Sequence, residues 1–194
     1  MSRSKFVFLT IFVFAAACLY AQNGDLAELT FRHFDHQKKG MIVLGAWGLG
    51  NALIGGIGMY KSSNPEVRAF HQMNFGWGIV NTAIAGFGYY SASNGQLDQN
   101  ALDLLFDNQK LKSILLLNTG LDVAYMTAGL LMIEKSKNAS FNPDRWRGFG
   151  KSLIMQGAFL FAFDLGMYFN FKNNTSNIIQ LINKGSEIGL IVNF

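Results

Sequence analysis

Four long apolar runs alternate with short polar segments along this chain, near 41–60, 72–90, 113–133 and 152–171. A helix needs about 20 residues to cross the hydrocarbon of a bilayer, so each run is about one crossing long. Each also carries a conspicuous polar side chain near its midpoint: Asn51, Asn81, Asp122 and Asp164. A carboxylate at that depth costs about 2.5–3.5 kcal/mol on insertion scales, so such a residue faces a partner or a watery cavity rather than lipid. The pattern predicts an all-α fold, a four-transmembrane-helix bundle made of two helical hairpins over 41–171.

The segments between the runs predict how the helices are joined. Asn64-Pro65-Glu66 is a helix start, in which Asn caps, Pro fits the first turn and Glu complements the dipole. Asn142-Pro143-Asp144 repeats it, so the second helix of each hairpin is launched by the same device. Residues 22–40 form a polar amphipathic lead-in, with Leu26, Leu29 and His33 at helical spacing. Between the hairpins, Asn94-Gly95 marks a turn. Leu97, Ala101, Leu104 and Leu105 then line one side of a short amphipathic helix, with Asp98, Asp103 and Asp107 largely elsewhere. That helix either lies on the membrane surface or is a solvated connector. After the fourth run, Lys172 to Thr175 reads as a polar loop that opens a C-terminal tail over 172–194, with a short helix at 176–183.

An internal repeat links the first two runs. Trp47-Gly48-x-x-Asn51-x-x-Ile54-x-Gly56-x-Gly58-x-Tyr60 recurs 30 residues later as Trp77-Gly78-x-x-Asn81-x-x-Ile84-x-Gly86-x-Gly88-x-Tyr90, with seven of fourteen positions identical. Consecutive spans run antiparallel, so this is a one-helix inverted repeat. It either flanks a midplane site or supplies two helices that pack closely. Small residues recur every four positions in each run: Gly48/Ala52/Gly56, Gly78/Thr82/Gly86, Gly120/Ala124/Ala128 and Ala158/Ala162/Gly166. Asp122 and Asp164 lie two residues off these stripes, nearly on the opposite side of a 3.6-residue helix. One face therefore packs while the other lines a polar interior.

Composition agrees: half of the 194 residues are apolar, 14% are charged, and there are 21 glycines and 18 phenylalanines. The net charge of +4 is scattered between the runs, with no basic stripe of the kind that binds nucleic acid, so the expected partner is the lipid bilayer. Residues 1–21 read as a signal peptide: Arg3 and Lys5 start it, Phe6 to Ala17 is its apolar centre, and Ala21 sits at a cleavage position. Cys18 is the only cysteine, so no internal disulfide forms. The signal implies a multi-pass protein of the bacterial inner membrane, with 61–71 and 134–151 cytoplasmic. The last eight residues offer an outer-membrane alternative. Ile188, Leu190, Val192 and Phe194 alternate with their neighbours as in a closing barrel strand, although the runs at 113–133 and 152–171 lack that alternation.

Asp122 and Asp164 are the sharpest chemical candidates, able to carry a proton, bind a cation, or accept hydrogen bonds from Asn51 and Asn81. His33, Asp35 and His36 offer metal-ligand types but no evident fourth partner, so no metal site is expected. There is no G-x-S-x-G turn, no Ser/His/Asp signature and no phosphate-binding glycine loop, so neither catalytic residues nor a cofactor are expected. The W-G-x-x-N helices, the N-P-acidic starts and the mid-span aspartates resemble a group of small, uncharacterised multi-pass bacterial membrane proteins over 26–171. That resemblance implies an integral membrane protein and no catalytic residue. Two functional readings follow. One is a protein that binds or moves a small solute or proton through Asn51, Asn81, Asp122 and Asp164. The other is a structural or assembly subunit, with those residues as an interhelical clamp and a homo-oligomer or a membrane partner as its neighbour.

Overall fold

The computed structural model describes the backbone of residues 3–95 and 99–192, and the side chains of 25–95 and 99–184. Four helices account for nearly all of it: α1 (Arg3–Lys61), α2 (Pro65–Ser93), α3 (Ala101–Asn138) and α4 (Pro143–Val192). They pack as two hairpins, α1 against α2 and α3 against α4, and the hairpins meet chiefly along α2 and α4. The all-α architecture and hairpin pairing thus match the apolar pattern.

The helices are longer than that pattern implies. The chain's two prolines, Pro65 and Pro143, both stand at helix starts, so nothing breaks the flanking polar segments. The lead-in at 22–40 is continuous with the first span. The expected surface helix between the hairpins is instead the first turns of α3, and Leu97 and Asp98 lie outside the described residues. The expected loop at Lys172–Thr175 and the separate tail at 172–194 are likewise helix, because α4 runs on to Val192. A closing barrel strand over the last residues is therefore overturned, Asn193 and Phe194 lying outside the described residues. The side chains of the signal segment 1–21 lie outside them too.

These extensions have a packing reason. Leu29 of α1, Leu104 of α3, and Ile178 and Leu181 of α4 form a small apolar core, flanked by Leu26, Leu105 and Ile182. Three helix ends thus bundle beyond the first and last apolar runs, while α2 stops short at Ser93. Asn94 closes α2, its backbone N–H and side-chain amide both donating to the Tyr90 carbonyl.

At the opposite end the two launching devices behave differently. Asn64 accepts from the backbone N–H groups of Glu66 and Val67, as expected of a cap. Asn142 has the same sequence context but sits in the left-handed region (φ 50°), a conformation that Asn tolerates better than most residues.

Between these ends the burial pattern is inverted relative to a water-soluble protein. Asn51, Asn74, Asn81, Asp122, Ser152, Gln156 and Asp164 are buried, while Leu53, Ile54, Ile57, Leu117, Leu130, Leu131 and Phe169 are exposed. Large apolar side chains outside and amides and carboxyls inside suit hydrocarbon surroundings. Among the described residues, three helical stretches are long and apolar enough to cross a membrane: Asp25–Lys61, Ala101–Asn138 and Pro143–Lys184. The fourth expected span, in α2, is diluted by Gly76, Gly78, Gly86, Gly88, Asn74 and Asn81 and is not among them.

Candidate functional site

The four mid-run residues are all interior, with Asn51 9%, Asn81 2%, Asp122 2% and Asp164 6% exposed. They do not form one cluster. Asn51 belongs to a hub centred on Gln156 of α4, which is fully buried. The Trp47 indole N–H donates to Gln156 Oε1 at 2.9 Å, and Gln156 Nε2 donates to Asn51 Oδ1 at 2.9 Å and to Asn74 Oδ1 at 3.0 Å. The Ser152 hydroxyl donates to the same Asn74 oxygen at 2.5 Å. Asn51 completes its own bonding by donating to the Trp47 carbonyl at 2.8 Å. One glutamine thereby ties α1, α2 and α4 together, while the Trp47 ring stacks on Phe159 with centroids 3.9 Å apart.

Asp122 and Asp164 form the second element. Their carboxyls lie close enough across α3 and α4 to interact directly. No hydrogen-bond donor reaches Asp122 Oδ2, and no lysine or arginine pairs with either residue among the described ones. Asn81 is close by in height. Asn74 bonds Ser152 and Gln156 across the parallel α2 and α4, which puts Asn81 within about one helical turn of Asp164 along the axis. Its Nδ2 is buried without a partner.

A third polar cluster marks the junction with the three-helix extension. Asn108 Nδ2 donates to the Phe171 carbonyl at 2.7 Å and to Thr175 Oγ1 at 2.6 Å. Those bonds orient the amide, so its Oδ1 accepts from His33 Nδ1 at 3.2 Å. Lys112 Nζ donates to the same Thr175 oxygen at 3.2 Å. His33 is thus engaged with α3, while Asp35 pairs with Lys39 at 2.7 Å. Among the described residues, no group of three or more His, Cys, Asp or Glu side chains could hold a metal.

At the loop end, Glu66 receives Lys151 Nζ at 2.5 Å and Arg147 at 3.6 Å, fastening the start of α2 to α4. The hydrogen bond from Lys151 holds the Glu66 carboxyl below its ordinary value of 4.5, despite some opposing burial.

Asn74, Ser152 and Gln156 did not stand out in the sequence. A faint signal existed: Asn74 and Asn81 are seven residues apart and share a helical face, and Ser152 and Gln156 are one turn apart. The small-residue stripes also divide. Gly48 and Gly78 face each other across the α1–α2 crossing, where an added Cβ would strike Thr82 or Ala52. Gly120 and Gly166 meet nothing within 4 Å, and Ala124, Ala158 and Ala162 are exposed. In the second hairpin the close approach uses Gly129, Gly150 and Gly157 instead.

Residues 43–165 match the model of a family of unknown function, DUF6992, and so span the hub, the carboxyl pair and both hairpin turns. The chain belongs to that family. No curated protein and no solved structure matches the chain. Membership of DUF6992 thus rests on the segment that carries the buried polar residues, and it brings no reaction with it.

Proposed function

We propose that this DUF6992 member is a multi-pass protein of the bacterial inner membrane, crossing it four times at 41–60, 72–90, 113–133 and 152–171, and that it binds or moves a proton or small solute through its buried polar residues. The observation that carries this reading is the Asp122–Asp164 carboxyl pair, held inside the bundle with no basic partner. Such a pair stores a proton between two helices, and the unpartnered Asp122 Oδ2, with an unpartnered Asn81 Nδ2 at about the height of Asp164, is bonding capacity that the fold does not consume. Asn51 takes part through the separate Gln156 hub.

The decisive experiment replaces Asp122 and Asp164 with Asn, singly and together, in protein reconstituted into liposomes. Proton flux, read with an enclosed pH dye, falls to the background of empty liposomes in the double variant while helicity is unchanged. Unaltered flux in a folded double variant sinks the reading.

A second reading is favoured by the hub, whose bonds are direct and span three helices. There the polar residues act as an interhelical clamp in a structural or assembly subunit. It predicts that the same variants change stability but not flux, and that cross-linking in native membranes traps a second copy or a partner.

A further inference from the structure

A cleft of about 270 Å³ opens beside the hub, lined by Trp47, Gly50, Asn51, Ile54, His71 and Asn74 among others. Most of its α1 wall lies at mid-height in the apolar run 41–60, and Ile54 on its rim is exposed, so its mouth faces hydrocarbon rather than water. The hydrogen-bonding ledger of its lining is unequal. Trp47 Nε1 and Asn51 are committed within the hub. Asn74 spends its Oδ1 on two donors, Ser152 and Gln156, which leaves its amide N–H₂ as the group these bonds do not use. His71 has a sealed Nδ1 with no partner, its ring lying on Gly58, where an added Cβ would collide with it. Gly50 contributes bare backbone, and a Cβ there meets nothing within 4 Å.

We propose that this cleft binds a lipid-soluble molecule through a carbonyl-bearing head group, with the Asn74 amide as the polar contact and Trp47 and the His71 ring as its aromatic walls. A donor left over in an otherwise satisfied cluster calls for an acceptor, and a mouth open to hydrocarbon restricts the ligand to molecules that partition there. A quinone ring and the ester carbonyl of a lipid share that chemistry. The inference rests on the membrane placement but not on the carboxyl pair, so Asp122→Asn and Asp164→Asn leave it unchanged.

The test uses the full chain in detergent with Trp77→Phe and Trp146→Phe, so that Trp47 is the sole fluorophore. Titration with a short-tailed benzoquinone should quench Trp47 saturably. Gly50→Leu, on a lining position where an added Cβ meets nothing within 4 Å, should weaken this binding about tenfold or more, as should Asn74→Asp, which keeps an oxygen for Ser152 and Gln156 but loses the N–H₂. Either variant carries the test if the other fails to fold. Competition by a short-chain diacyl phospholipid assigns the site to lipid esters, and its failure to compete assigns it to the quinone ring. Quenching that never saturates, or saturable quenching indifferent to both variants, overturns the proposal.

Discussion

Gln156 is the residue on which most of the interior depends. Its amide satisfies Trp47, Asn51 and Asn74 at once, so truncating it removes more than its own contribution. Hydrogen bonds inside membrane bundles average about 0.6 kcal/mol when both partners can re-pair. Here the orphaned groups are buried, and each unsatisfied one costs about 1–3 kcal/mol. Gln156→Ala should therefore destabilise the protein by about 2 kcal/mol or more in denaturant titrations in detergent, whereas Gln156→Glu, which keeps an oxygen for Trp47, retains part of the hub. An exposed change such as Asn173→Ala should leave the midpoint unchanged. The mid-run asparagines and aspartates announced themselves by standing alone among apolar neighbours. Gln156 and Asn74 were hidden by lying nearer the polar ends of their runs, and only the packing of α2 against α4 reveals that they meet.

Glycine placement decides packing at the level of elements. The W-G-x-x-N repeat puts Gly48 and Gly78 at one crossing point, related by the near-symmetry of two antiparallel helices. That favours the repeat as a device for close helix approach, although it also delivers Trp47 and Asn51 to the hub. Gly78→Val should drive α1 and α2 apart, lowering thermal stability by several degrees and weakening a disulfide engineered across the crossing. Gly166→Ala, on a helix face with nothing within 4 Å, should leave both measurements unchanged. Four-residue stripes were legible in every run, but a stripe states only that a face is smooth. Whether it meets another helix depends on the tertiary arrangement, and in α3 and α4 it turns outward.

For the whole molecule, the two ends are fastened by different chemistry. An apolar three-helix core holds one end, and the Glu66, Lys151 and Arg147 pairing holds the other. Because the Glu66 carboxyl is depressed in the folded protein, its contribution is fully present above the ordinary value of 4.5 and disappears as pH falls through the lower folded value. Melting in detergent should thus show a loss of stability on acidification below pH 4.5, of about 1 kcal/mol at most for so solvent-reached a pair, and Glu66→Gln should flatten that step. High salt should weaken the same contact while leaving the apolar end untouched.

By itself the sequence determined the helical class, the hairpin turns and which side chains are too polar for lipid, because helical period, proline position and insertion cost are properties of local stretches. It misjudged the lengths of the helices, since the polar segments 101–112 and 172–184 look like connectors until the ends of α1, α3 and α4 are seen to share Leu29, Leu104, Ile178 and Leu181 as a core. Tertiary structure alone decided that Asp122 faces Asp164 while Asn51 faces Gln156, and which small-residue stripes are seams. Those outcomes depend on the rotation and depth of one helix against another, and no single helix encodes its own angle to its neighbours.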